Sequence, residues 1–246
     1  MARTSTRPDE EGCRLSCRSC PFRPESDLRD LGPAGIDLLQ LGHDRRIWPA
    51  GSRVFRAGDP CPGVSILTRG LIAIRKVSPE GRSMIVRLVF PVRAFGLAAF
   101  LGPGRHGADA VVLSESSICT VGKRTVTAMI EQDPSVGRSL MNRLSQDLLA
   151  AEEAILVLGR MPVRERFLRL MLQLAAQPWA QDPDGDGDRV QFDLPLSRQD
   201  LASTLGIRPE TLTRTIHELD GCGLIRIRGR RVSVPDLGGL LTAVGE

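Results

Sequence analysis

The chain is predicted to adopt an α+β fold: an antiparallel β-roll, then a long helix, then a winged helix-turn-helix. Three observations predict it. Short apolar runs separated by turn residues fill the stretch from about Trp48 to Val121. Apolar residues recur with a seven-residue period between Pro134 and Gly159. Near the end, a short apolar helix pattern meets a glycine and then a proline-started second helix.

The 246 residues suffice for two modest cores, and 41% hydrophobic with 25% charged residues is ordinary for a globular chain. No run approaches the ~20 apolar residues that cross a bilayer, and the first twenty residues hold no apolar centre of a secretory leader. A cytoplasmic location without membrane partners is expected. Four segments follow: a cysteine-bearing start (1–24), the roll (25–132), the long helix (133–160) and the winged helix-turn-helix (161–246).

In the roll, RVFRAGD, GVSILTRG, LIAIRKVSPEG, SMIVRLVF and SSICTV read as strands, with glycines at 51, 58, 63, 70, 81 and 96 expected in tight turns. In SMIVRLVF neither alternate set is strongly polar, so a strand packed on both faces is expected. In the long helix Met141, Leu144, Leu148, Ala151, Ile155 and Leu158 step by three and four, the a/d seam of a two-stranded coil. A homodimer is expected, although a helix packed on its own domain would show the same stripe. With Met141, Leu148 and Ile155 at a, Asp147 takes g and Glu152 the following e. Those carboxylates would oppose one another across a parallel pair and weaken it. Pro162 ends the helix. PDGDGD lacks the closing Glu of a calcium loop and reads as a solvated turn.

The net charge is +4, and all basic residues but Lys76 and Lys123 are arginines. Between Ser197 and Arg231, arginines 198, 208, 214, 226, 228, 230 and 231 face four acidic residues, a basic surplus suited to phosphates. Ser197 is a suitable N-cap, Gly206 permits the interhelical turn, and Pro209 fits a first helical position. On the second helix Leu212, Ile216 and Leu219 share one face, while Glu210, Thr213, Arg214 and His217 share another. Arg214 suits guanine O6 and N7, and Glu210 suits cytosine N4. LIRIR and RVSV around Gly229 form the wing, whose Arg228 and Arg230 are expected at phosphates, and Arg208 and Ser197 are further expected DNA-binding residues. Double-stranded DNA is the expected partner.

FRAGDPCPGVSILTRG and PETLTR, in this order of roll, long helix and winged helix, resemble the CRP/FNR superfamily of transcription regulators from about Asp27 onward. The resemblance implies a cyclic-nucleotide-binding-like roll, a homodimer on a palindromic site, contact with RNA polymerase, and a half-site similar to TTGA. Members that bind cyclic nucleotides carry Phe-Gly-Glu and Arg-Ser or Arg-Thr motifs. Here those positions read Phe95-Gly96-Leu97 and Gly107-Ala108, so cAMP is not expected.

Cysteines 13, 17 and 20 form a C-x3-C-x2-C cluster, and Cys119 falls where FNR-branch proteins carry a fourth ligand. The resemblance implies an oxygen- or redox-responsive [4Fe–4S] cluster on Cys13, Cys17, Cys20 and Cys119, although the spacing departs from the usual FNR arrangement. A metal-free thiol switch, four-thiolate zinc and an unknown effector in the roll stay open. Cys61 and Cys222 read as non-ligands, and the three scattered histidines suggest no metal site. The cysteine spacing also occurs in radical SAM enzymes, but no alternating β-α pattern follows it, so no enzyme is expected.

Overall fold

The structure is a computed structural model and describes residues 16–81, 83–180 and 189–245. Cys13 and the PDGDGD loop lie outside the described residues. The chain divides into two compact units: residues 1–76 with 87–148, and residues 77–86 with 149–246.

The first unit is the roll. Helix α1 (Pro33–Gly42) starts at a proline, as the missing N–H allows, and runs into β1 (His43–Trp48). Then follow β2 (Arg53–Phe55), β3 (Gly63–Val77), β4 (Ser83–Val89), β5 (Arg93–Phe95), the short α2 (Leu97–Leu101) and β6 (Asp109–Gly122). The sheet order is β1-β6-β3-β4, with β2 also paired to β6 and β5 to β3. Helix α3 (Lys123–Gln132) follows, and then α4 (Pro134–Arg160). Two apolar clusters fill the unit. One gathers α1, β3, α3 and the start of α4 around Met129 and Leu140; the other lies between strands around Phe95, Leu67 and Ile118.

Two details differ from the expectations. GVSILTRG and LIAIRKV are one strand, and Gly70 lies inside it with φ +97° where the β3–β6 register slips. A Cβ there would sit 2.2 Å from the Ser116 hydroxyl, so the glycine makes a bulge and not a turn. β4 is also one-sided: Ile85 and Val89 are buried while Met84 and Val86 are exposed. Apolar residues on its outer face hide the alternation from a hydropathy reading.

The second unit holds α5 (Val163–Ala175), β7 (Val190–Asp193), α6 (Arg198–Leu205), α7 (Pro209–Gly221), β8 (Arg226–Arg228), β9 (Arg231–Val234) and α8 (Leu237–Gly245). β9 is the centre of a three-stranded sheet ordered β7-β9-β8. Phe167, Leu168, Met171 and Leu174 bury one face of α5, and Leu201, Leu205, Leu212 and Leu219 bury the inner faces of α6 and α7.

Candidate nucleic-acid interface and cysteine site

Helices α6 and α7 are joined by a turn that the sequence dictates locally. Ser197 accepts from the Asp200 N–H at 3.0 Å, and Asp200 answers at the Ser197 N–H, which makes a complete capping box. Gly206 closes α6 in the left-handed region at φ +64°, and Pro209 begins α7. The Arg166 guanidinium donates to the Leu205 carbonyl at 2.7 Å and satisfies the end of α6.

Leu212, Ile216 and Leu219 are buried, while Glu210, Thr213, Arg214 and His217 are all exposed on the opposite face with Arg208 beside them. The polar face is bare and short, of the width that enters a major groove. The Thr213 hydroxyl donates to the Pro209 carbonyl at 3.0 Å, so its proton is engaged within the helix.

The wing is a tight hairpin with Arg228 opposite Arg231 and Gly229 at φ +62°. Asp220, near the end of α7, accepts from Arg226 at 3.2 Å and Arg228 at 3.1 Å. That carboxylate ties the wing to the recognition helix. Sequence reading misses this, because Asp220 counts there only as an acidic residue among the arginines. Arg230 is exposed and its Nε–H donates to the Leu194 carbonyl at 3.1 Å.

In the roll, Cys17, Cys20 and Cys119 line one cavity, walled by Phe22, Leu28, Leu39 and Ile66. Three elements bring them there. Cys17 opens a short 3-10 turn capped by Ser16, and its N–H donates to Gln40 of α1 at 2.6 Å. Cys20 ends that turn, and Cys119 stands on β6 opposite Arg45 of β1 and Ile66 of β3. The donor set is all sulfur, which suits thiolate ligation of iron, and Cys13, the fourth expected ligand, lies outside the described residues. Among the described residues no group of three or more His, Cys, Asp or Glu side chains is gathered at metal-binding spacing. His43, which reads from the sequence as unrelated, has its ring nitrogens 3.6 and 3.8 Å from the Cys17 sulfur. Cys61 is buried and its thiol donates to the Gly63 carbonyl; Cys222 is exposed.

At the positions of the nucleotide motifs, Leu97 is buried in the roll's core. His106 is buried too, stacked on Phe55 with ring centroids 3.5 Å apart. Desolvation holds its imidazole below the usual range, opposed by Asp59, and its Nε2 has no partner.

Along α4 the apolar seam divides. Met141, Leu148 and Ile155 are exposed, as is Ala151, while Leu144 is half-buried against its own unit's core and Leu158 is half-buried. Leu149 and Leu156 are exposed as well, so the bare stripe is broader than a strict a/d seam. Asp147 corrects the expected carboxylate clash. It is 11% exposed and ion-paired to Arg87 of β4 and Arg143 of its own helix. Neutralised within the chain, it is not a charge offered to a partner's Glu152.

A roll of this topology joined to a winged helix-turn-helix with a bare polar recognition face defines a class of DNA-binding transcription regulators. Residues 45–133 match the cyclic nucleotide-binding domain family, and residues 165–243 match the Crp-like helix-turn-helix domain family. A "Probable transcriptional activator" of Rhizobium leguminosarum bv. viciae is 32% identical over 93% of this chain and 92% of its own length. The "Transcriptional activator protein FnrL" of Cereibacter sphaeroides is 28% identical over 94% and 92% of the two chains. A CRP/FNR-family transcriptional regulator from Thermus thermophilus superposes with a TM-score of 0.68 at 26% identity, covering 82% of this chain and 99% of the other. The chain belongs to the CRP/FNR family of transcription regulators, on its FNR-like side, and is a DNA-binding regulator and not an enzyme. Among the described residues no helix is long and apolar enough to cross a membrane.

Proposed function

We propose that this regulator acts as a homodimer whose affinity for a palindromic DNA site is set by an oxygen- or redox-responsive [4Fe–4S] cluster on Cys13, Cys17, Cys20 and Cys119. The observation that carries this reading is the convergence of Cys17, Cys20 and Cys119 on one apolar-walled cavity from positions up to 102 residues apart (119 − 17). Bound there, the group would supply oxygen-labile iron–sulfur chemistry. The chain's residues do the rest. The Cys17 turn, anchored to Gln40, would tie the N-terminal segment to the roll. The bare stripe of Met141, Leu148 and Ile155 on α4 supports pairing of two copies. Two recognition helices would then meet two half-sites, with Glu210, Thr213, Arg214 and His217 at base edges and Ser197, Arg208, Arg228 and Arg230 at phosphates. RNA polymerase is the proposed protein partner and the cytoplasm the proposed location. cAMP is not the proposed effector, because Leu97, Gly107 and Ala108 offer neither carboxylate nor guanidinium to it.

Anaerobic purification with iron and sulfide analysis tests the sensor. About four irons and four sulfides per chain, with a visible band that bleaches in air, support it. A colourless, iron-free protein after reconstitution sinks it. A second reading, a thiol switch on the same cysteines, is supported by the His43 ring nitrogens 3.6 and 3.8 Å from the Cys17 sulfur.

A further inference from the structure

We infer that Arg23 is the cationic partner of the cysteine site, a positioning residue that holds the Cys17 turn and offsets the negative charge gathered by thiolate ligation. The inference rests on the cluster reading above. It starts from the electrostatics of the cavity. Four thiolates around an iron–sulfur core leave a net anion, and the potential of such a centre depends on nearby charge and on hydrogen bonds to its sulfurs. Most of the walls are apolar and screen nothing.

Arg23 is the one charged side chain among the described residues that line the cavity. Its place is set by its Nε–H, which donates to the carbonyl of Cys17 itself at 3.2 Å, and by a second bond to the Arg29 carbonyl at 3.3 Å. The guanidinium carries further N–H donors beyond these two bonds.

The other polar groups are already engaged. The Ser26 hydroxyl donates to the Arg23 carbonyl at 2.9 Å, and the Thr68 hydroxyl donates to the Ser117 carbonyl at 2.9 Å. The Cys17 N–H is taken by Gln40. His43 Nδ1 lies 2.9 Å from the Leu39 carbonyl, and His43 is not among the residues that line the cavity. Arg45 lies over the Phe22 ring at 5.5 Å and donates to Ser117 at 2.8 Å. Among the described residues that line the cavity, charge therefore falls at Arg23.

The test compares reconstituted wild type, Arg23→Gln and Arg23→Lys under anaerobic conditions. Iron and sulfide content and the midpoint of a dithionite titration are read for each. Arg23 is half-exposed, so both variants should fold and load iron. Removing the one charged group that lines the cavity should weaken one-electron reduction of a net-anionic centre there, on the order of tenfold. Arg23→Gln should therefore titrate at a more negative potential, and Arg23→Lys, which keeps the charge, should stay near wild type. A Gln variant with full iron content and an unmoved midpoint overturns the role of Arg23 and leaves the cluster reading intact. A Lys variant shifted as far as Gln overturns the charge argument. Failure of the wild type itself to take up iron removes the cluster reading, and the inference with it.

Discussion

Arg214 is exposed on a helix whose opposite face is anchored by Leu212 and Leu219, each at most 1% exposed. A rigid helix lets one guanidinium address one base. Arg214→Ala should cost on the order of 1–3 kcal/mol at one G·C pair per half-site, relaxing preference there only. Arg230→Ala should weaken binding to all sequences alike, through loss of a phosphate contact. Selection of sites from a randomised library separates these outcomes, and equal relaxation by both variants would contradict the assignment. His106 gives a prediction in pH. Its imidazole is held below 6.5 mainly by desolvation, so the unfolded chain binds a proton that the folded chain refuses. Stability should then fall as pH drops below about 6.5 and level off below the folded value. His106→Phe, which also removes the unpartnered Nε2, should flatten that dependence in urea unfolding at pH 7.5 and 5.5. An unchanged slope would place the dependence elsewhere.

At the scale of elements, two local devices differ in how far the sequence reveals them. The Ser197–Asp200 capping box is a short-range pattern, legible because both partners lie within one helical turn. Ser197→Ala should destabilise the second unit by about 1 kcal/mol, read as a lower midpoint of its thermal transition. Gly70 is legible only as a break. Its left-handed φ and its closeness to Ser116 arise from a partner strand some forty-six residues away (116 − 70). Gly70→Ala should destabilise the roll by about 1–3 kcal/mol, and a silent substitution would show that β3 can shift its register at little cost. Helices α1, α2 and α3 escape a sequence reading because they are short, and much of their apolar surface is consumed in packing around β-strands.

At the scale of the whole molecule, the stripe on α4 carries the expected self-association. Leu148→Asp with Ile155→Asp should shift the protein toward monomer in sedimentation and weaken binding to a two-half-site DNA far more than to a single half-site. A dimer that persists would move the interface off α4. Asp147→Asn should act within the chain, lowering thermal stability by releasing Arg87 and Arg143, whose charges would then face each other uncompensated.

The sequence by itself determined the order of roll, long helix and winged helix, the two faces of α7, and the cysteines as the residues to watch. Each of these is a short-range matter: periodicity, capping, turn chemistry and residue type act over a few positions and are written along the chain. Only the tertiary structure decided that Cys17, Cys20 and Cys119 line one cavity with Arg23, that Asp220 holds the wing, and that Asp147 is neutralised at home. Those pairings join residues of different elements, and the approach of two side chains across a sheet or between helices depends on register and packing that no local pattern records.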